Sequence, residues 1–324
     1  MHGLVTVFGG SGFIGAQVTR ALAKQGYRVR VAVRRPGLGY RLPLMGDVGQ
    51  IEVVQANLRN PESIDRALEG AEGCINLVGV LYETGRQSFA GLHAQGAEEI
   101  AAACAAHGVK RMVQVSAIGA DAQSPSKYAR TKAAGEAAVR KLLPQAAIVR
   151  PSVVFGVDDA LFNRFASMAS LMPMLPLPGG GDTKFQPIFV GDAAAAIVAA
   201  LREPSAAGKI FEIGGPDIYT YRQLIELTLA QIHKTRLLVD LPWGLAKLIG
   251  RLGDLQAKVL PFAPLLTADQ VELLQHDNIA SKSLPGLKAL GVSAPVAVEA
   301  ILPTYLYRYR RGGQFAPEPA VAGA

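Results

Sequence analysis

The first 156 residues alternate short β-branched runs with segments of helical periodicity, and this alternation constrains the fold more than any other feature of the chain. The strand-like runs are LVTVFG, YRVRVAVRR, IEVVQANL, GCINLVG, RMVQVSAIG and AAIVRPSVVFG, with helical stretches such as PESIDRALEG and SKYARTKAAGEAAVRKLL between them. Strands that alternate with helices of this length are joined by right-handed crossovers, which produce a parallel sheet covered on both faces. The pattern therefore predicts a doubly wound α/β fold.

The alternation ends after Gly156, and the rest of the chain has a different character. Proline-punctuated helical segments run from about 220 to 305, whereas a segment near 185–215 resumes the earlier pattern. We therefore predict a first domain over residues 1–156, to which about 185–215 returns, and a smaller, mainly helical substrate or docking domain over 157–312. Residues 313–324 lack hydrophobic periodicity and are expected to form a flexible tail.

Composition and charge narrow the classes of protein that this chain can be. Half of the 324 residues are hydrophobic, yet charges and turn formers interrupt every apolar stretch before it reaches about 18 residues, so no membrane-spanning segment is expected. The start, MHGLVTVFGGSG, has no basic leader, which predicts a cytoplasmic protein without a signal peptide. The formal net charge of +7 favours phosphate ligands, an anionic lipid surface or an acidic partner.

Cysteine usage and motif content argue against further classes. Cys74 and Cys104 stand in apolar segments without a CxxC pattern or a nearby histidine, so we expect buried thiols, no metal site and no disulfide. The basic charge comes without any signature of a DNA-binding or RNA-binding module. Nucleic acid is therefore not expected as a partner, while a peripheral position on the inner face of the cytoplasmic membrane stays open.

Three glycines separate the first strand from the first helix. In VTVFGGSGFIGAQV they are Gly9, Gly12 and Gly15, at three-residue spacing. Such glycines permit a tight strand-to-helix turn and close approach of the backbone to a pyrophosphate, and the helix N-terminus offers free N–H groups to phosphate oxygens. The motif predicts a dinucleotide site of the Rossmann type, with a purely structural turn as the alternative. Ser11 is a further contact expected in this turn.

The second strand ends in two arginines, where many dinucleotide sites have an acidic residue. Arg34 lies nineteen residues after Gly15, close to the spacing of about 20 at which an acid meets the ribose hydroxyls of NAD. Arg34 and Arg35 can instead bind a 2′-phosphate through parallel hydrogen bonds. NADP(H) is therefore favoured over NAD(H), which remains the alternative if both arginines are only solvated residues at a strand end.

The ends of the third and fourth strands complete the predicted cofactor cleft. Asn57 and Leu58 follow the third strand and are expected to line the adenine. Leu77, Val78 and Gly79 end the fourth strand beside the cleft. At each of these positions, packing in the core is an equal alternative to a ligand contact.

A tyrosine and a lysine four residues apart are predicted on the helix after the fifth strand. In SAIGADAQSPSKYARTKAAGE, Tyr128 and Lys132 share one helix face, and Ser116 at the strand end can reach the same space. A phenol has a pKa of about 10, so a neighbouring ammonium that stabilises the phenolate would let Tyr128 exchange a proton with a substrate oxygen. These residues form the predicted catalytic set, and Tyr128 and Lys132 are also expected to contact the cofactor.

Four segments stand in the order of a known family. GGSGFIG, YARTK, IVRPSVVFG and FQPIFVGDAA make the chain resemble the extended and atypical short-chain dehydrogenase/reductases over nearly its whole length. Within that superfamily it is most similar to the NAD(P)H-binding accessory subunit of respiratory complex I and its bacterial relatives, a similarity that also rests on VQVSAIGADAQSPSKYARTKAAGE and LLTADQVELLQHDN. The resemblance implies complex I subunits as partners and a nucleotide with a structural role.

The resemblance also implies a set of cofactor contacts. Matched motif by motif, they are Gly9, Gly12, Phe13, Ile14, Gly15, Arg34, Arg35, Tyr128, Lys132, Pro151, Val153 and Val154. An aspartate is common in the superfamily at the position where this chain has Asn57. The resemblance therefore supports the adenine contact of Asn57 less directly than it supports the other contacts.

Two functions are open at this point. The first is a nucleotide-binding accessory or assembly subunit of the NADH:quinone oxidoreductase, which alone explains the similarity in LLTADQVELLQHDN. The second is a stand-alone NADP-dependent reductase, epimerase or hydroxysteroid-type dehydrogenase for an apolar carbonyl or hydroxyl substrate, which alone requires Ser116, Tyr128 and Lys132. The first is favoured.

Two later regions combine apolar and basic residues. Residues 241–266 mix leucines with Lys247, Arg251 and Lys258. Amphipathic helices usually turn their apolar side to the core, so a roof over the substrate cleft is favoured, with a membrane surface or docking face as the alternative. YLYRYRR, residues 305–311, has the same alternatives.

Overall fold

The computed structural model describes residues 2–259 and 264–315. The strands are β1 (His2–Phe8), β2 (Tyr27–Val33), β3 (Ile51–Gln55), β4 (Gly73–Asn76), β5 (Arg111–Val115), β6 (Ala147–Pro151), β7 (Val154–Phe155), β8 (Met174–Pro178), β9 (Lys184–Phe185), β10 (Ile188–Phe189), β11 (Ile210–Ile213), β12 (Tyr219–Thr220) and β13 (Leu237–Leu241). The α-helices are α1 (Phe13–Lys24), α2 (Pro61–Leu68), α3 (Gly96–Ala106), α4 (Lys127–Leu142), α5 (Phe162–Leu171), α6 (Val190–Arg202), α7 (Tyr221–Gln231), α8 (Trp243–Val259), α9 (Ala268–Leu273), α10 (Val298–Ile301) and α11 (Pro303–Leu306).

In the described part of the chain, seven strands form one sheet in the order β11-β6-β5-β4-β1-β2-β3. Every neighbouring pair is parallel, and Val5 on β1 lies opposite Val29 on β2 and Gly73 on β4. The strand order reverses between β1 and β4, which opens a crevice at the carboxyl ends of these strands. The predicted doubly wound α/β fold is confirmed.

Helices cover both faces of the sheet because its strands are apolar on both sides. On one face, α1 and α6 contribute buried residues such as Val18, Leu22 and Ile197 to a core shared with β1 and β2. On the other face, α2, α3 and α4 contribute residues such as Leu68 and Ile100. After α6 the chain adds β11 to the sheet edge beside β6. The domain boundaries themselves remain a prediction.

A separate apolar cluster lies in the C-terminal region. This cluster joins α5, α7 and residues 298–306, with Phe162, Leu224 and Leu302 fully buried. The YLYRYRR segment belongs to it, since Tyr305 and Leu306 are buried and Arg310 Nε donates to Gln231 O at 2.6 Å. The first part of this segment is therefore core rather than a docking surface. Residues 316–324 of the predicted tail lie outside the described residues.

Helix α8 is oriented differently from the prediction for residues 241–266. The helix packs on the protein through small residues, because a Cβ at Gly253 would lie 1.9 Å from Leu266 O and one at Gly250 would lie 2.7 Å from Ala268 N. The leucines face away, and those at positions 245, 248, 252 and 255 are between 49% and 61% exposed. The expectation that the apolar side of this helix turns to the core is therefore wrong for these leucines. The Lys258 side chain and residues 260–263 lie outside the described part of the chain.

Three further observations concern the classes of protein considered above. Cys74 and Cys104 are free and fully buried, as predicted. Within residues 2–259 and 264–315, no group of three or more His, Cys, Asp or Glu residues is placed to hold a metal ion. The helices of these ranges are all too short or too polar to cross a membrane.

Candidate nucleotide site

The turn between β1 and α1 requires glycine for two physical reasons. Gly9 has a φ of +79°, a conformation that residues with a Cβ rarely adopt. A Cβ at Gly15 would lie 2.3 Å from Gly9 O, so α1 can approach the turn this closely only without a side chain there. Gly12 N donates to Gly9 O at 3.0 Å and closes the turn. This backbone geometry fits a dinucleotide diphosphate.

The N-terminus of α1 is chemically suited to an anion. Gly12 is the N-cap, no described side chain caps the helix, and its first turn contains no acidic residue. Ser11 and Gly12 are exposed, so the amide groups of the turn can reach a ligand phosphate. Phe13 faces the loop after β7, where a Cβ at Gly156 would lie 3.4 Å from its ring, and the half-buried Ile14 packs against the core.

Arg34 and Arg35 follow directly after β2, at the same edge of the sheet as the glycine turn. Both side chains are exposed, and neither makes a hydrogen bond or ion pair with another described residue. Their guanidinium groups are thus available to a phosphate at the end of β2. This placement is compatible with the predicted NADP(H) contact, which stays a prediction.

The other predicted cleft residues divide between the turn and the core. The backbone of Leu77 and Val78 lines the glycine turn, because a Cβ at Gly9 would lie 3.2 Å from Leu77 C and from Val78 N. Leu58 packs beside α3, since its Cδ1 would lie 2.6 Å from a Cβ at Gly96. Asn57 Oδ1 accepts a hydrogen bond from Arg59 N at 3.1 Å and thus closes its own loop.

The Tyr128 and Lys132 side chains meet on α4, and Lys132 also reaches the end of β5, directly before Ser116. Lys132 Nζ lies over the Tyr128 ring, 5.8 Å from its centroid. Among the described residues, Nζ donates only to Val115 O, at a long 3.5 Å. Ser116 follows β5, and its buried Oγ has no hydrogen-bond partner in the described chain. Since a buried hydroxyl without a partner is costly, Ser116 and Lys132 together form a polar site that suits an oxygen-rich ligand.

Burial dominates the ionisation of this pair. It lowers the pKa of Lys132 to about 8, and the nearby Glu136 opposes the shift only in part. It raises the pKa of Tyr128 to about 12, with the Asp269 carboxylate adding to the increase. The expected lowering of the Tyr128 pKa by Lys132 therefore does not prevail, because burial and the Asp269 carboxylate both act in the opposite direction.

His93 belongs to the site, although no motif pointed to it. It lies in a π-helical segment, Ala90–Gln95, that leads into α3 and is 2% exposed. Val80 N–H donates to Nε2 at 3.1 Å, so the neutral ring carries its proton on Nδ1, 3.2 Å from Thr131 Oγ1. Burial and Lys132 lower the pKa of His93 to about 3, which keeps the ring neutral. Its ring stands edge-on to Tyr128, with centroids 5.2 Å apart.

Asp269 is the second residue that sequence reasoning missed, although it lies inside LLTADQVELLQHDN. Its carboxylate accepts hydrogen bonds at the N-terminus of α4, from Ser126 Oγ at 2.9 Å, Lys127 N at 2.6 Å and Tyr128 N at 3.1 Å. A carboxylate at this position satisfies unpaired amides and complements the helix dipole. The C-terminal region is thereby attached to the helix that carries Tyr128 and Lys132.

Asn278, at the end of the same motif, contacts the predicted cofactor segment from Pro151 to Val154. Asn278 Oδ1 accepts hydrogen bonds from Ser152 Oγ at 2.7 Å and Val153 N at 3.2 Å. Pro151 is buried at the end of β6, and Val154 begins β7. We call residues 265–278, LLTADQVELLQHDN, the clasp. The clasp connects the C-terminal region both to the start of α4 and to the segment after β6.

We expect Asp269→Asn to lower the free energy of unfolding by about 1 to 2 kcal/mol, because the amide loses the charge and one acceptor at the start of α4. Urea unfolding followed by circular dichroism measures the loss. Asp277→Asn is the matched control, since Asp277 Oδ1 accepts a hydrogen bond from Lys184 N in an exposed position of the same clasp. Equal stability losses in the two variants would contradict a special role for Asp269.

Comparison with known proteins places these features in a family. The model of the NAD dependent epimerase/dehydratase family matches residues 5–214. A complex I protein of Arabidopsis thaliana, the mitochondrial NADH dehydrogenase [ubiquinone] 1 alpha subcomplex subunit 9, is 37% identical over 96% of this chain and 79% of its own length. The mouse protein of that name is 34% identical over 92% of this chain and 78% of its own. The ceramide reductase of Caulobacter vibrioides is 37% identical over 63% of this chain and 62% of its own.

Solved structures share the fold at low sequence identity. The NADPH-dependent quinone oxidoreductase of Escherichia coli, complexed with NADPH, has a TM-score of 0.72 and 21% identity, with 93% of this chain and 99% of that chain covered. The UDP-glucuronic acid 4-epimerase of Bacillus cereus, in complex with UDP-glucuronic acid and NAD, has a TM-score of 0.69 and 18% identity, with 94% and 98% covered. From its glycine turn, its strand order and these similarities, the chain belongs to the NAD dependent epimerase/dehydratase family.

Proposed function

We propose that the protein is an NADP(H)-binding accessory or assembly-type subunit of the NADH:quinone oxidoreductase, in which the nucleotide serves mainly a structural role. The observation that carries this proposal is Asp269. It comes from the segment in which the chain resembles complex I subunits, and it binds the helix that carries Tyr128 and Lys132. The segment thus acts on the nucleotide site itself. The similarity to complex I subunits over more than nine-tenths of the chain supports the same conclusion.

The chemistry of the chain favours holding a nucleotide over rapid turnover. When bound, the nicotinamide would supply or accept hydride. Tyr128 would have to exchange a proton with the substrate, but burial and Asp269 raise its pKa to about 12, far from the value that suits acid–base catalysis at neutral pH. Lys132 can donate to ribose hydroxyls in either role, and Arg34 and Arg35 would select the 2′-phosphate. We place the protein in the cytoplasm, next to the complex at the inner face of the membrane.

A stand-alone NADP-dependent reductase is the second candidate, and one observation favours it. Ser116 Oγ is buried without a partner in the described chain, and it directly follows Val115, whose carbonyl oxygen accepts from Lys132 Nζ. A structural nucleotide does not require this hydroxyl, whereas a carbonyl substrate would use it as a hydrogen-bond donor. The partial similarity to a ceramide reductase is in line with an apolar substrate.

A substrate panel with Tyr128→Phe separates the two functions. We expect no ketone, quinone, sterol or nucleotide sugar to drive NADPH oxidation at an ordinary enzymatic rate, on the order of 1 per second. Tyr128→Phe should weaken NADPH binding by no more than about two- to tenfold, since it removes one hydroxyl hydrogen bond worth about 0.5 to 1.5 kcal/mol. A compound that is turned over at such a rate by the wild type, but not by Tyr128→Phe, would make the protein a reductase.

Assembly is tested independently of turnover. Membranes solubilised with a mild detergent are separated by native electrophoresis, and the protein is located with an antibody. We expect it to migrate with NADH:quinone oxidoreductase activity. Migration as a free monomer under conditions that keep the complex intact would contradict the accessory-subunit proposal.

A further inference from the structure

Helix α8 carries a continuous row of exposed aliphatic side chains. Leu245, Leu248, Leu252, Leu255 and Val259 follow one another at alternating intervals of three and four residues, which places them on one face of a helix. They are between 49% and 72% exposed. We call these five residues the aliphatic stripe.

The helix is attached to the protein through its opposite face. Ala246 and Ala257 are buried, and Gly253 lies against Leu266 O so closely that a Cβ would have no room. Ala268 N donates to Asp254 Oδ2 at 3.3 Å, which holds this acidic residue on the attached side. The stripe therefore points outward because the packing of α8 leaves it no other direction.

The chemistry along the stripe indicates what covers it. Lys247 and Arg251 lie one turn apart along one border of the stripe, where Arg251 is exposed and Lys247 is partly buried. Lys247 Nζ contacts Glu272 at 3.3 Å, whereas Arg251 has no acidic partner among the described residues. An outward row of flexible aliphatic groups with a basic border matches a helix that lies in a lipid surface.

We propose that α8 binds an anionic bilayer surface, with the aliphatic stripe in the acyl boundary and Arg251 and Lys247 among the headgroups. The helix has 17 residues, a length of about 25 Å, and would lie parallel to the membrane plane. This inference does not depend on complex I or on the nucleotide. It concerns a surface that faces away from the attached side of α8.

Flotation with lipid vesicles tests the proposal on the full chain. The vesicles contain phosphatidylcholine alone or phosphatidylcholine with phosphatidylglycerol. We expect the wild type to float with the anionic vesicles, and to bind neutral vesicles at least tenfold more weakly. High salt should weaken the anionic binding because it screens headgroup charge. Arg251→Gln should reduce affinity roughly fivefold, the equivalent of about 1 kcal/mol per basic residue.

The stripe itself is tested by Leu248→Gln/Leu252→Gln/Leu255→Gln, which should abolish flotation without changing NADPH affinity. Leu44→Gln is the matched control, because Leu44 is 83% exposed at the opposite end of the sequence and should float like the wild type. Wild-type protein that stays with the soluble fraction, or binds neutral vesicles equally well, overturns the proposal. The proposal is also overturned if the wild type sediments as a dimer and the triple variant as a monomer, because the stripe would then bind a second copy of the chain.

Discussion

Lys132→Met should make the nucleotide-free protein more stable at pH 7, and the same variant should bind NADPH about tenfold or more weakly. Lys132 is 7% exposed and its ammonium has only a long hydrogen bond to Val115 O among the described residues. Burying a charge without a good partner costs free energy, which methionine of similar volume avoids. We expect a gain of roughly 1 to 3 kcal/mol in the free energy of unfolding. The loss of a charged donor, about 1.5 to 3 kcal/mol, weakens nucleotide binding.

The stability difference between Lys132→Met and the wild type should depend on pH. The pKa of Lys132 falls from 10.5 to about 8 in the folded protein, so between these values the unfolded chain binds the proton more strongly. The cost of the buried ammonium is therefore fully present below pH 8 and disappears as the pH rises towards 10.5. Urea unfolding at pH 7 and at pH 9.5, on either side of the Lys132 pKa of about 8, compares the free energies of unfolding of the variant and the wild type. We expect the extra stability of Lys132→Met to be smaller at the higher pH.

Lys127→Met is the matched control for Lys132→Met. Lys127 lies on the same helix, with its Nζ 2.7 Å from Glu83 Oε2 and its side chain 49% exposed. Its replacement should leave stability almost unchanged or slightly reduced, because exposed ion pairs contribute little, and should leave NADPH affinity unchanged. If Lys132→Met proves less stable than the wild type at pH 7, the ammonium is better satisfied than the geometry indicates.

Arg34→Ala/Arg35→Ala should lose roughly 10- to 100-fold in NADPH affinity while changing NADH affinity by less than about threefold. The reason is that only NADPH carries the 2′-phosphate, and a charge-assisted pair with phosphate is worth about 1.5 to 3 kcal/mol. Calorimetric titration with both nucleotides measures the difference. The wild type should bind NADPH more tightly than NADH, and the double variant should bind the two alike.

Arg41→Ala controls for the general loss of positive charge. Arg41 is exposed in the same stretch between β2 and β3, where its Nε donates to Tyr40 OH at 2.7 Å. We expect its NADPH affinity to match that of the wild type. Equal affinity of the wild type for both nucleotides, or an NADH preference that survives the double substitution, would remove Arg34 and Arg35 from the site and with them the assignment of NADP(H).

The sequence by itself determined the parts of this protein that depend on local periodicity. Strands and helices alternate in the first half because β-branched runs and helical patterns are short-range features, and the parallel sheet follows from them. The glycine turn needs residues only six apart, and Tyr128 meets Lys132 because four residues make about one helical turn. Such features survive in any surroundings that keep the secondary structure.

Only the tertiary structure decided the rest. Asp269 contacts the backbone of Tyr128 at a sequence separation of 141 residues, and His93 contacts Thr131 at a separation of 38, so no local sequence pattern predicts either contact. The amphipathic pattern of α8 was visible, but periodicity says only that two faces differ. Which face is attached depended on Gly250 and Gly253, whose missing side chains allow residues 266–268 to approach and leave the leucines outside. Contacts between distant segments, which periodicity does not record, determined the orientation of this helix and the electrostatics of the site.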